Sequence, residues 1–277
     1  MEVLERNIFK KEILKRLEED VDQLRELFEQ NSQRVGTRFV AIDNLLPTEM
    51  VQEIFHAFEL KEGAWRLFDT FRERKYTSKS FDEFNPILKE ITYALQDPEV
   101  VKVMGSITGI KSLEGDPSLY AGGLSMMQKS HFLDPHIDNS HDAKRELYRR
   151  LNVLYYVTPE WEKENGGHLE LWSKDLSERE LIESRFNRLV LMETNNYSWH
   201  SVSKVLGGSK RCCVSNYLFS ETSPLGKEYF HITAYSARPE DIYKKYLFKG
   251  DNFLRTTLRK VFKLGLGRKD VYQADAN

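Results

Sequence analysis

Between Ser118 and Phe219 the chain is cut into short apolar stretches separated by turn signals, and no other feature restricts its fold as much. The stretches are residues 124–127, 151–157, 168–172, 188–193, 200–205 and 211–219, with Gly166-Gly167 and Gly207-Gly208 as punctuation. Strand-sized segments at such regular spacing point to an antiparallel β-sandwich or barrel.

The flanks have a helical texture. No Gly or Pro occurs before Gly36, and Leu14, Leu17, Val21, Leu24 and Phe28 recur at helical spacing to form one apolar seam. That seam either packs on its own domain or forms a short coiled-coil dimer contact of about two heptads. Residues 38–47 read as a strand ending in a turn, with Thr48 as N-cap of a helix over 49–58. Asn85 caps a further helix with Pro86 in its first turn, running to Leu95, and Asp97-Pro98 opens the next. After Arg238-Pro239 the helical texture returns, and residues 252–262 carry Phe253, Leu254, Leu258, Val261 and Phe262 on a basic background. Those basic residues read as helix-dipole complement and solvation, or as a patch for an anionic partner. The whole reads as one domain over 1–277: an N-terminal helix (1–33), a helix-rich support (34–117), a β core (118–235) and a helical C-terminal extension (236–277). The extensions are candidates for a lid or a homodimer face.

Composition removes several functional classes. The 41 basic residues are balanced by 43 acidic ones, so no nucleic-acid footprint is present and neither a nucleic-acid nor a membrane partner is expected. Hydrophobic residues make up 40% of the chain, enough for a sizeable core. Cys212 and Cys213 are the only cysteines, and neighbours in a strand point to opposite faces. A zinc framework and a disulfide-rich secreted scaffold are therefore poorly supported. The charged N-terminus has no signal-like apolar run and no window reaches a membrane-spanning length, so a soluble, cytoplasmic protein is expected.

The chemistry-bearing stretch is Asp134-Pro135-His136-Ile137-Asp138-Asn139. In an extended chain His136 and Asp138 face the same way. An imidazole and a carboxylate on one face, completed by a distant second His, make a two-histidine, one-carboxylate set that leaves three positions of an octahedral iron open. His200 is the expected third ligand, placed where a loop becomes a strand. If Gly207-Gly208 closes a two-residue hairpin, His200 and Arg211 lie on one face, separated by about 13 Å along the sheet. A metal-bound dicarboxylate gripped by the planar fork of Arg211 fills such a gap. A turn one residue longer or shorter selects Lys210 instead. The remaining histidines, His56, His131, His141, His168 and His231, sit at positions that do not suit this metal.

These residues resemble the 2-oxoglutarate/Fe(II)-dependent oxygenase superfamily, in particular its prolyl-hydroxylase-like branch. His136-Ile137-Asp138-Asn139 matches that branch's metal motif. Residues 150–157, followed by Trp161 and Gly166-Gly167, look like its next strand and hairpin, and residues 210–219 look like its closing strand. The resemblance implies a mainly β fold with flanking helices, its core a double-stranded β-helix, or jelly roll. It implies Fe(II), 2-oxoglutarate as cosubstrate and O2, with ascorbate as a stimulant, and a hydroxylation that releases succinate and CO2. By position, Tyr156 donates a hydrogen bond to the distal carboxylate of 2-oxoglutarate and Arg211 pairs with it, while Arg150 and Tyr217 fall near the mouth of a pocket for a small-molecule or peptidyl substrate. Met126 stands where the animal oxygen-sensing prolyl hydroxylases carry a cosubstrate-contacting Tyr. A cupin-like metalloenzyme without 2-oxoglutarate and a non-catalytic jelly-roll binding module are the competing readings.

Overall fold

In the computed structural model, residues 2–248 are described apart from 32, 121, 242 and 245–247. The basic segment 252–262 lies outside the described residues. The N-terminal stretch forms two helices, α1 (Glu2–Glu19) and α2 (Val21–Gln30), divided at Asp20. Ile13, Leu17, Leu24 and Phe28 are all buried in the protein's own main core, with Leu14 and Val21 packed beside them. The apolar seam is thus an internal packing surface, and it stays in step across the break.

Next come β1 (Phe39–Asp43), α3 (Thr48–Ala57), β2 (Trp65–Asp69), β3 (Glu73–Ser78), α4 (Pro86–Ala94) and α5 (Pro98–Thr108). Thr48 is the first residue of α3 rather than its cap, which is Pro47. Asn85 and Asp97 cap α4 and α5 as expected, each side chain accepting the backbone N–H two residues on. The β2–β3 hairpin, in contrast, falls in the stretch expected to be helix-rich.

The β core consists of β4 (Gly123–Met127), β5 (Phe132–Ile137), β6 (Tyr148–Tyr156), β7 (Leu169–Trp172), β8 (Arg179–Ile182), β9 (Arg188–Glu193), β10 (His200–Val202) and β11 (Arg211–Ser220), with β12 (Ala234–Tyr235) after it. All strand pairs are antiparallel. One sheet runs β1-β9-β6-β11-β4 and a second runs β5-β10-β7-β8, joined through β3, which pairs with both β4 and β5. This is a jelly roll. The expected hairpin through Gly207-Gly208 does not form: β10 pairs with β5 and β7, while β11 pairs with β4 and β6. Here the glycine pair carries the chain from one sheet to the other. At Gly208, φ is +80° and an added Cβ would lie 2.6 Å from the Trp161 ring, so the crossing needs glycine.

Strand alternation sorts the first sheet into two faces. Leu151, Val153, Tyr155, Leu189, Leu191, Cys212, Val214 and Leu218 join the helices in the main core. Tyr156, Val190, Met192 and Cys213 point the other way and pack with Leu169 and Leu171 of the second sheet. No described helix is long and apolar enough to cross a membrane.

Candidate metal centre

His136 on β5 and His200 on β10 are directly opposite one another in the antiparallel ladder. Cross-strand partners share a face, so their rings come to 4.1 Å between centroids. Asp138 lies two residues past His136 and faces the same way. Its Oδ1 is 3.7 Å from His136 Nε2 and its Oδ2 is 3.5 Å from His200 Nε2. One donor atom from each residue lies within 4.8 Å of the others, the only such cluster among the described residues.

The hydrogen bonds around these side chains fit a metal. His136 Nδ1 lies 3.1 Å from the Asp134 carbonyl and His200 Nδ1 lies 3.0 Å from the Ser198 carbonyl. A carbonyl only accepts, so each Nδ1 carries the proton and each Nε2 turns a lone pair toward Asp138. Burial, and then the neighbouring His200, push the His136 pKa down to about 3, which keeps that ring a neutral donor. Burial pushes Asp138 upward, but its carboxyl is held well below the usual carboxylate range, with the Arg149 guanidinium and the Asn152 hydrogen bond pulling it down. Arg149 Nη1 is 3.2 Å from Asp138 Oδ2, and Asn152 Nδ2 donates to the same oxygen at 2.8 Å.

The three side chains open into a cavity of about 460 Å³ between the sheets, also lined by Arg211, Tyr156, Tyr217, Asn152, Arg149 and Lys75. That volume suits a small ligand together with a substrate group. Arg211 is 4% exposed, its guanidinium lies 4.8 Å from the Tyr156 ring centre, and its Nε donates to Ser184 Oγ. Among the described residues no carboxylate pairs with Arg211, and the buried Tyr156 hydroxyl lacks a well-formed hydrogen bond, with only Arg211 and Ser184 beside it. Burial also raises the Tyr156 pKa, so the phenol keeps its proton and remains a donor. Gly167 permits this arrangement: with φ +67°, an added Cβ would lie 3.0 Å from Arg211 Cδ.

Two sequence expectations shift by one residue. Tyr217 lines the cavity, but Arg150 does not; Arg149 does. The cause is a bulge in β6. Leu218 faces Leu151, yet Phe219 faces Arg149, so Arg150 is the extra residue squeezed out of the ladder. Arg150 turns instead to the Thr222 carbonyl, at 2.7 Å, and toward Glu193. Likewise Met126 is buried in the helix-side core, and Met127 meets both the cavity and Arg211.

Other participants were missed altogether. Tyr235 on β12 lies opposite His136 with its ring stacked against the imidazole, 5.5 Å between centroids. Lys75 on β3 enters the cavity paired with Glu73 at 3.1 Å. Neither has a local sequence signature, since each reaches the centre only through a non-local strand pairing.

Residues 122–219, which include all three metal-site residues, Tyr156 and Arg211, match the family model of the 2OG-Fe(II) oxygenase superfamily. The chain is 30% identical over 96 residues to prolyl 3-hydroxylase OGFOD1 of Mus musculus and 37% identical over 83 residues to that of Xenopus laevis, or 32% and 28% of this chain. It spans about a sixth of the length of these curated relatives, 17% and 16%. Among solved structures, a prolyl 4-hydroxylase from Phytophthora capsici superposes with a TM-score of 0.53 at 16% identity, covering 90% of this chain and 79% of that one. A prolyl-4-hydroxylase from Pseudomonas putida gives 0.50 at 13% identity, covering 72% and 99%. At these identities the structural likeness bears on the jelly-roll fold.

Proposed function

We propose that the chain is an Fe(II)- and 2-oxoglutarate-dependent dioxygenase that hydroxylates an unactivated C–H bond of a peptidyl, amino-acid or small-metabolite substrate, releasing succinate and CO2. The observation that carries this reading is the buried meeting of His136, Asp138 and His200, with both histidine Nε2 atoms turned toward one carboxylate. His136, Asp138 and His200 would hold iron through two imidazoles and one carboxylate, a donor set that suits Fe(II) and leaves room for exogenous ligands. Iron, 2-oxoglutarate and O2 together supply an oxidant able to take hydrogen from carbon.

The chain's own residues bind, orient and exclude water. Arg211 receives the distal carboxylate of 2-oxoglutarate through charge-assisted hydrogen bonds, and the Tyr156 hydroxyl donates to the same group. Arg149 and Asn152 fix the Asp138 carboxylate, as groups behind a metal ligand commonly do. Tyr235 stacks against the His136 ring and lines the cavity beside it. Because both histidines are buried and the Asp138 side chain is only 13% exposed, few waters compete with these contacts. Ascorbate is expected to stimulate turnover. Two free, buried cysteines suit a reducing cytoplasm.

The test is anaerobic addition of Fe(II), with and without 2-oxoglutarate, followed by O2 and a succinate assay. The reading requires iron binding, a further 2-oxoglutarate-dependent change in the absorption spectrum, and succinate. Iron binding without a 2-oxoglutarate effect would instead indicate a cupin-like site, and failure to bind either would indicate a non-catalytic module.

A further inference from the structure

Arg149 is 2% exposed, yet it is far from saturated. One nitrogen, Nη1, faces Asp138, while Nε and Nη2 are buried with no hydrogen-bond partner. The Tyr217 ring lies 4.0 Å from the guanidinium carbon and its hydroxyl stands within reach of the same group, and both residues line the cavity. Leaving buried donors unmade is costly, the more so when the group is charged. A protein that keeps such an edge empty inside a binding cavity has shaped it for a ligand.

The protein itself shows what fits that edge. Three other arginines use the same Nε–Nη2 pair, and each grips both oxygens of one carboxylate. Arg6 holds Glu90 at 2.7 and 3.0 Å, Arg38 holds Glu193 at 2.7 and 2.8 Å, and Arg188 holds Asp43 at 2.6 and 2.8 Å. In Arg149 the equivalent fork holds no carboxylate. Cavity charge agrees. Of the cations lining the cavity beside the metal site, Lys75 is offset by Glu73, whereas Arg149 meets Asp138 through one nitrogen alone and Arg211 meets no carboxylate among the described residues. Arg211 is assigned above to the cosubstrate.

From this fork we infer that the substrate carries a free carboxylate, which docks two-pronged on Arg149 Nε and Nη2 beside Asp138. This inference rests on the oxygenase reading and narrows its substrate to carboxylic acids, as opposed to peptide-internal amides. Arg149 then anchors substrate in addition to holding Asp138.

The experiment uses the full chain loaded with Mn(II) and the inert cosubstrate mimic N-oxalylglycine. Binding is titrated calorimetrically with a panel of N-acetyl-L-amino acids and their matched primary amides. The expected result is that at least one acid binds roughly tenfold or more tighter than its amide, and that Arg149→Lys, which keeps the charge but loses the fork, abolishes the difference. Amides binding as well as acids, no binding by any acid, or acid preference surviving in Arg149→Lys, would overturn the inference. Should the variant fail to fold, the acid-to-amide ratio of the unaltered protein decides alone. Mn(II) binding and its response to N-oxalylglycine are recorded first. Their absence removes the oxygenase reading, whereas their presence without acid preference removes only this inference.

Discussion

Tyr155 and Tyr156 are neighbours in one strand, both wholly buried, and they have opposite hydrogen-bonding states. Tyr155 faces the helices, and its hydroxyl donates to Asn187 Oδ1 at 2.8 Å. Asn187 in turn bonds both the N–H and the carbonyl of Leu46, so that contact locks β9 to the turn after β1. Tyr156 faces the second sheet, and its hydroxyl has Arg211 and Ser184 beside it but no well-formed bond. The difference extends to the whole sheet. Its helix side is apolar apart from the satisfied Tyr155 hydroxyl and Asn216, whose Oδ1 accepts from Gln96 while its Nδ2 goes unmet, whereas its inner side gathers the Tyr156 hydroxyl, Asn152 Oδ1 and two nitrogens of Arg149. Unmet polar groups thus concentrate on the face that lines the cavity, with Asn216 the exception on the other.

That contrast can be broken at several points. Asp138→Ala or His200→Ala should reduce Mn(II) affinity by more than the roughly 10- to 100-fold seen when groups behind the ligands are lost, and should abolish succinate release. Metal titration and a succinate assay measure both. Leu218→Ala, on the helix side, should cost about 2–5 kcal/mol of unfolding free energy in urea and leave Mn(II) affinity unchanged in the folded fraction. Arg211→Ala, on the inner side, should behave in the opposite way. It removes charge-assisted bonds to 2-oxoglutarate worth about 1.5–3 kcal/mol, a rise in KM of roughly 10- to 150-fold with little stability loss. The tyrosine pair gives the smallest and sharpest comparison. Tyr155→Phe should lower stability by about 1 kcal/mol without altering the KM for 2-oxoglutarate, and Tyr156→Phe should raise that KM severalfold at unchanged or slightly higher stability. Equal stability losses from both would erase the distinction between the faces.

Much of this was legible in the sequence wherever the cause is local. Asn85-Pro86 and Asp97-Pro98 set their helix starts through contacts two residues away, so reading them required no tertiary knowledge. His136 and Asp138 share a face because they stand two apart in extended chain. The break at Asp20 was hidden, since burial of Leu17 and Leu24 continues on either side of it. The β2–β3 hairpin was hidden for another reason: Glu73, Lys75 and Thr77 line the cavity, so an inward face that is normally apolar is polar there. The assumed hairpin from His200 to Arg211 was wrong, although Arg211 does reach the same cavity. It does so from the opposite sheet, because inner-facing residues of both sheets converge on one space.

The bulge in β6 has an evolutionary consequence. Where two identical residues straddle a point at which one is surplus to the ladder, loss of either gives the same polypeptide. Deleting one of Arg149 and Arg150 would restore regular pairing opposite Phe219 and still leave a guanidinium facing inward, at the expense of the contacts to Thr222 and Glu193. The doublet thus makes this wall of the cavity tolerant of a one-codon deletion that would elsewhere in the strand turn every following side chain to the wrong side.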